Sequence, residues 1–532
     1  MLKDEVALAG VAGALVAADA CLTRAENRLL AKSSRQDSEL VERTRLDILK
    51  GEDPLGQAFS KLRSAKDRRD LGATFTPPQI VQVMVNWSTE QGQDPIRIVD
   101  PGTGSGRFLS AAAQAFPKAD LIAVEVDPLC RLMLRANAQV LKYSDRLEVR
   151  HGDYRSARLP RVDGPTLFIG NPPYVRHHNI SPKWKDWFAA QARKLGIPAS
   201  KLSGLHIHFF LKTALLARPG DFGIFITASE WIDVNYGAFL RDLLADKLGG
   251  TSLHVINPDA LPFDDAMTTG SITSFRVGEK RDTMQVARVC NEAGLPDLSA
   301  GTQVSWDVLR SAPRWSPVIS GLGQEKNPDE IELGELFRVH RGQVTGANKV
   351  WIAGQAAVEL PNDYLFPTVT KARDLLSAGD RLSDASKLRK VIDLPKNLDD
   401  ISHGDRPAVE RYLAWAESQQ AHAGYVARNR RSWWSVGLKD PAPILCTYMA
   451  RRAPAFVENA CGARHINVAH GLYPQEPFAP SLLRAYLRYL SCSVSVSDGR
   501  VYAGGLTKFE PREVERIRVP RPETLMADPA YQ

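Results

Sequence analysis

The chain predicts an α/β fold, a parallel sheet with helices on both faces, followed by a less regular second half. Three observations support this. Short apolar runs at 96–99, 121–126, 147–149, 167–169 and 223–227 read as strands, with helical patterns between several of them. The first run passes into Asp100-Pro101-Gly102-Thr103-Gly104-Ser105-Gly106, a glycine-rich turn that opens the helical pattern Arg107-Phe108-Leu109-Ser110-Ala111. The next two runs also end in acids, at Glu125-Val126-Asp127-Pro128 and His151-Gly152-Asp153-Tyr154. A single such acid is usually an ordinary loop residue. Three at successive strand ends mark one edge of one sheet as a site.

The 532 residues are too many for one ordinary core, so two or three domains are expected. Hydrophobic content of 44% with 24% charged residues suits a globular protein. No apolar stretch is long enough to span a bilayer, and Met1-Leu2-Lys3-Asp4-Glu5 lacks the layout of a signal peptide, so a cytoplasmic protein is expected. Cys21, Cys130, Cys290, Cys446, Cys461 and Cys492 form no CxxC pair, which argues for reduced thiols and against zinc or disulfides. The net charge of +7 is compatible with a polyanionic partner but does not establish one.

Along the chain, residues 1–70 read as a helical segment that includes the alanine-rich stretch 6–18. Its basic run, Lys61, Arg63, Lys66, Arg68 and Arg69, suits a solvated helix face better than a phosphate contact. Strand and helix alternate from about 71, fade after about Glu279, and set a first domain at 71–285. From about 300 to 532 the pattern is rich in Arg, Trp and turns.

The fourth strand opens directly into Asn171-Pro172-Pro173-Tyr174. The prolines fix φ and remove backbone donors, so the turn's carbonyls stay free to accept. Asn171 adds a side-chain carbonyl oxygen and Tyr174 a flat aromatic face. Two fixed acceptors beside an aromatic plate suit a planar amine. In the glycine turn, an acid at the end of the second strand takes a ribose diol, which a dinucleotide carries as well as other nucleoside cofactors.

The glycine turn and the proline tetrapeptide, with Phe75-Thr76-Pro77-Pro78 upstream of both, resemble the γ-class N6-adenine DNA methyltransferases, the TaqI methylase-like type II modification methylases. The order of the segments is the same. The resemblance implies a Rossmann-like S-adenosylmethionine-dependent methyltransferase domain with a C-terminal mixed α/β target-recognition domain, and no metal. It places Thr76 and Asp100 near the amino-acid part of S-adenosylmethionine and Gly102 and Gly104 at the glycine turn. Glu125 would take the ribose and Asp153 the adenine amine, with Pro173 beside the cofactor. Asp100 stands where the family often has Glu, and either carboxylate can hold an ammonium. Asn171 and the Pro172 carbonyl would accept from the target adenine, and Tyr174 would stack on it. Phe263, in Leu261-Pro262-Phe263-Asp264-Asp265, takes the place of an aromatic that packs on that base; an anchoring phenylalanine in a loop is the equal alternative. His177 and His178 follow the tetrapeptide but receive no catalytic role, because the chemistry needs no dedicated base.

In the second half, Arg341-Gly342-Gln343-Val344-Thr345-Gly346-Ala347-Asn348-Lys349, Arg428-Asn429-Arg430-Arg431-Ser432-Trp433-Trp434 and Ala450-Arg451-Arg452 mix groups that contact phosphates and base edges. Each alone is more often structural, and Trp433 and Trp434 also suit a core. Thr345-Gly346-Ala347-Asn348 and the stretch from Gly504 and Gly505 to Pro511 resemble segments of target-recognition domains. The expectation is a site-specific DNA adenine-N6 methyltransferase that acts as a monomer on double-stranded DNA and is partnered functionally by a cognate restriction endonuclease. Three rivals are a glutamine-amide protein methyltransferase, a fused restriction enzyme and methylase, and a catalytically dead specificity protein.

Overall fold

Burial on both faces of the sheet decides the architecture of the first half. In the computed structural model, which describes residues 3–33, 36–64, 67, 72, 74–256, 270–289, 298–320, 329–450, 452–494, 499–502 and 506–531, the five apolar runs form parallel strands. These are β1 (Arg97–Pro101), β2 (Asp120–Glu125), β3 (Leu147–His151), β4 (Thr166–Gly170) and β5 (Phe222–Ala228). Consecutive residues point to opposite faces, as the strand period requires. Ile98, Leu121, Ile169 and Ile224 enter one core; Val99, Ile122, Phe168 and Phe225 enter the other. Both faces are covered, which is why these runs are continuously apolar.

Four more described strands extend the sheet: β6 (Gly250–Ile256), β7 (Gly270–Arg276), β8 (Thr283–Val289) and β9 (Thr302–Ser305). The order is β3-β2-β1-β4-β5-β7-β6-β8-β9, with β7 antiparallel to both β5 and β6. Chain direction diverges between β1 and β4, the point where an open α/β sheet forms its ligand crevice.

The contacts divide the chain into two compact units, Met1–Leu322 and Gly323–Gln532. Strand β8 runs past residue 285, β9 pairs with it, and Trp306, Leu309 and Trp315 are buried in the second core of the first unit. Residues 302–320 therefore belong to the first unit and not to the second half, as their irregular texture suggests. The N-terminal helices α1 (Glu5–Leu15), α2 (Arg24–Leu30), α3 (Ser38–Leu49) and α4 (Pro54–Leu62) also belong to this unit. They share a core with α5 (Pro128–Val140): Leu8, Val11, Ile48 and Phe59 meet Leu129, Leu132 and Met133. The basic run is not a solvated face at Arg63, whose guanidinium is 14% exposed and pairs with Glu5 and Asp127. Lys66, Arg68 and Arg69 lie outside the described residues.

The second unit is built from small sheets. Its largest described sheet has five strands, among them Phe337–Arg341, Ala469–Pro474, Ile444–Thr447 and Phe456–Asn459, packed against the helix Pro480–Ser493. A further core gathers around the helix Arg406–Ser418. The five cysteines described are free thiols, and Cys290 lies outside the described residues. No helix among the described residues is long and apolar enough to cross a membrane.

Candidate active site

The glycine turn leaves β1 and enters the helix Arg107–Ala115 with Gly104 and Gly106 in the left-handed region, at φ +59° and +92°. At Gly106 a side chain is excluded twice, because its Cβ would also lie 2.4 Å from Leu134 Cδ1. Glu125, at the end of β2, closes the turn. Its Oε2 accepts from Gly104 N at 2.9 Å and its Oε1 from Asp127 N at 2.9 Å. Burial raises this carboxyl above the usual carboxylate range. The fully buried Arg131 holds the strand end by donating to the carbonyls of Glu125 at 3.1 Å and Val126 at 2.9 Å.

Asp100 is buried to 1% exposure, and neither carboxylate oxygen has a hydrogen-bond partner among the described residues. It sits against the end of β4, where a Cβ on Gly170 would lie 2.4 Å from Oδ1. Burial first, and Glu125 second, push its carboxyl well above the usual range. An orphaned carboxylate of this kind is stabilised by a cation or a donor brought in by a ligand.

Asn171 is the first residue after β4. Its Nδ2 donates to Thr74 O at 3.3 Å and to Thr76 Oγ1 at 3.0 Å. A carbonyl can only accept, so the contact with Thr74 fixes which end of the amide carries the NH2. Asn171 Oδ1 is left buried without a partner among the described residues. Thr76 thus meets the tetrapeptide directly. The same segment meets it again where Tyr174 N donates to Gly72 O at 3.2 Å. A Cβ on Gly72 would lie 2.6 Å from Tyr174 N, so this close approach requires glycine.

Glu125, Asp153, Asn171, Thr76, Gly102, Gly104 and Pro173 all line one cavity of about 370 Å³. Asp100, Pro172 and Tyr174 are not among its lining residues. Pro172 is buried, and Tyr174 turns its ring edge toward His206, with centroids 6.3 Å apart. Phe263 lies outside the described residues. Asp153 is more engaged than its position in the sequence suggests: Arg155 grips both oxygens, with Nη2 to Oδ2 at 2.6 Å and Nε to Oδ1 at 2.9 Å. Oδ1 also accepts from Arg155 N at 2.9 Å and Oδ2 from Arg155 Nε at 3.2 Å, while the side chain stays 27% exposed. His206 and His208 are buried and neutral, with pKa values pushed down to about 4 and about 3 by burial. His177 and His178 do not line the cavity.

Several lining residues carry no conspicuous sequence signal. Phe59 reaches the cavity from α4, and Trp184 stands with the Arg155 guanidinium 4.1 Å above its ring. Arg107, the first residue after the glycine turn, donates to Asp53 Oδ2 at 2.7 Å and to Thr76 O at 2.7 Å. Asp53 followed by Pro54 is a legible helix start, but nothing local shows that its carboxylate also faces the glycine turn.

In the second unit, several expected reading residues have structural roles. Thr345 is buried and its hydroxyl bonds to Asn348. Arg430 braces that loop by donating to the carbonyls of Thr345, at 3.2 Å, and Val344. Trp433 and Trp434 pack on the core around Trp351 and Tyr412, and Trp434 Nε1 donates to Pro395 O at 3.0 Å. Arg341 lies 4.6 Å over the Tyr448 ring. Asn348, Lys349, Arg428, Asn429, Arg431 and Arg452 are exposed, while Arg451, Gly504 and Gly505 lie outside the described residues.

The family described as Eco57I restriction-modification methylase matches residues 164–257, and that described as Type II methyltransferase M.Eco57I, C-terminal domain, matches residues 321–530. Type II methyltransferase M.XamI of Xanthomonas campestris pv. amaranthicola is 52% identical over 475 residues, covering 89% of this chain and 88% of that protein. Type II methyltransferase M.AccI of Acinetobacter calcoaceticus is 22% identical, covering 86% of this chain and 87% of that protein. Among solved structures, the type IIL restriction-modification enzyme MmeI in complex with DNA has a TM-score of 0.56 at 12% identity, covering 92% of this chain and 72% of that one. At that identity the likeness establishes the fold.

Proposed function

Because the chain belongs to the family of type II restriction-modification methyltransferases, we propose that it methylates N6 of an adenine extruded from a short duplex DNA site, with S-adenosylmethionine as cofactor. The observation that carries this reading is Asn171. Its amide is fixed by Thr74 and Thr76 so that a lone, buried Oδ1 remains as acceptor beside the cavity.

The residues present suit the cofactor. Glu125 has the spare lone pairs for a ribose diol, and Asp153, 27% exposed and lining the cavity, offers its carboxylate to the adenine amine. The unpartnered Asp100 carboxylate suits the ammonium end. Bound there, S-adenosylmethionine supplies an electrophilic sulfonium methyl. The chain's own contribution is to prepare the nucleophile. Adenine N6 is weak because its lone pair is delocalised into the ring. Hydrogen bonds accepted by Asn171 Oδ1 and the Pro172 carbonyl favour a pyramidal nitrogen with a localised lone pair. Holding that nitrogen in line contributes the remaining acceleration. Once alkylated, the nitrogen is acidic and its proton leaves without a dedicated base, in keeping with the neutral, low-pKa His206 next to Tyr174. Extruding the base costs about a few kcal/mol. Stacking on the Tyr174 ring returns roughly 1–3 kcal/mol of that.

The relatives' type II names support a cognate restriction endonuclease as functional partner, and MmeI's DNA complex supports duplex DNA as substrate. The second unit, matched along most of its length by the C-terminal domain family, is assigned the reading of sequence. The test is to map modified bases in DNA from cells expressing the chain or its Asn171→Ala variant. The parent should leave N6-methyladenine at one short sequence. The variant should leave none while keeping duplex affinity within a few-fold, since phosphate and base-edge contacts elsewhere hold the DNA. Methylcytosine, or unmodified DNA from the parent, would overturn the proposal.

A further inference from the structure

The amine acceptor does not hold itself in place. Asn171 is fixed by Thr74 and Thr76, and residues 74–77 belong to no helix or strand. Prolines 77 and 78 contribute no N–H to anchor that segment. The Pro77 carbonyl ties it to the following helix, accepting from Ile80 N at 3.1 Å, and further contacts hold it on the side away from Asn171. There, Arg107 Nη1 donates to Thr76 O at 2.7 Å and Nε donates to Asp53 Oδ2 at 2.7 Å. The guanidinium also lies 5.1 Å from the centroid of the Phe75 ring, which meets Phe59 edge-on at 5.6 Å.

Asp53 is itself immobilised. Its Oδ1 accepts from Gly56 N at 2.9 Å, capping α4, and its Oδ2 also accepts from Ser105 Oγ at 2.6 Å within the glycine turn. The pair is largely dry, with Arg107 16% and Asp53 12% exposed. In such a setting a charge-assisted contact is not loosened by solvent as a surface ion pair is.

We infer that Arg107 and Asp53 are positioning residues for the methyl transfer, acting through Thr76 to aim Asn171 Oδ1 at the target amine. The path runs from the N-terminal helices through the glycine turn and the proline segment to the tetrapeptide. It gives the helical segment before the sheet a part in the chemistry as well as in stability. Arginine suits 107 better than lysine, because its rigid planar fork presents separate N–H groups to both acceptors, whereas a lysine ammonium is a single point of charge on a flexible stem. The inference rests on the reading of Asn171 as the amine's acceptor.

The experiment uses the full chain and its cognate duplex. Methyl transfer is followed at steady state, S-adenosylhomocysteine affinity by calorimetry and duplex affinity by anisotropy. Arg107→Met should lower kcat about 10- to 100-fold, the range expected when a reacting group is displaced by a fraction of an ångström to an ångström. Both affinities should stay within a few-fold, and Arg107→Lys should recover an intermediate kcat. Thr76→Val removes the hydroxyl that Arg107 aims. The double variant Arg107→Met with Thr76→Val should therefore be no slower than the slower single variant. If Arg107→Met fails to fold by thermal melting, Arg107→Lys takes its place in the cycle. A kcat within twofold of the parent, a loss confined to S-adenosylhomocysteine affinity, or effects that multiply in the double variant would each overturn the relay. Parent activity together with an inactive Asn171→Ala variant keeps that outcome distinct from failure of the adenine reading itself.

Discussion

Glu125→Gln separates the two tasks that one carboxylate performs. In the parent, Oε2 takes Gly104 N and Oε1 takes Asp127 N, both at 2.9 Å, which leaves one lone pair on each oxygen for a ribose hydroxyl. Glutamine has the same shape, but its NH2 must face one of those two backbone donors. Orphaning a buried donor costs about 1–3 kcal/mol. Against that, burial raises the Glu125 carboxyl, so the neutral amide removes a desolvated charge. The two changes oppose each other, and the melting temperature should move by only a few degrees. The pH dependence has a definite sign. The folded cofactor-free parent binds this proton more tightly than the unfolded chain does, so the group's contribution to stability falls as pH rises above the ordinary carboxylate range. The glutamine variant should lose that component. Cofactor binding has no such offset. Losing a charged acceptor for a hydroxyl costs about 1.5–3 kcal/mol. The Kd for S-adenosylhomocysteine should therefore rise roughly 10- to 100-fold by calorimetry. A folded variant that binds within twofold of the parent would refute the assignment of Glu125 to the ribose.

A fragment ending at Leu322 should fold and bind S-adenosylhomocysteine but lose sequence-selective DNA binding; selective binding by the fragment would reject the assignment of reading to the second unit. A fragment cut near Glu279 should aggregate instead, because it lacks β8 and β9 and the buried Trp306 and Trp315, and light scattering distinguishes the two. His206 and His208, with pKa values of about 4 and about 3 against 6.5 for an ordinary histidine, contribute stability that is present above about pH 6.5 and is lost as pH falls toward 4. His208→Phe, which keeps a ring beside Phe188 at 4.2 Å, should flatten the dependence of unfolding free energy on pH in that window by at most about 1.4 kcal/mol per pH unit. Equal slopes for variant and parent would show that His208 is not the titrating group.

By itself the sequence determined the parallel core of the sheet and the family. Each of the first five strands is a short apolar run bounded by turn residues. The glycine turn and the proline tetrapeptide are contiguous, so their chemistry survives in one dimension. Thr76, Glu125, Asp153 and Asn171 line one cavity because three of them follow or end parallel strands of one sheet and the fourth precedes the first strand of that sheet. What depends on separation in the chain was decided only by the tertiary structure. The end of the first unit lies near residue 322 because β8, β9 and the tryptophans after them find partners in distant elements, which the irregular local pattern does not reveal. Arg63 and Arg430 read as surface candidates from composition, and Trp434 as either reading surface or core, yet their partners lie between 39 and 86 residues away. The contact between Asp53 and Arg107 spans 54 residues, and that between Thr76 and Asn171 spans 95. Local pattern records propensity and period, whereas a hydrogen bond between remote residues exists only once packing has removed the alternatives in water.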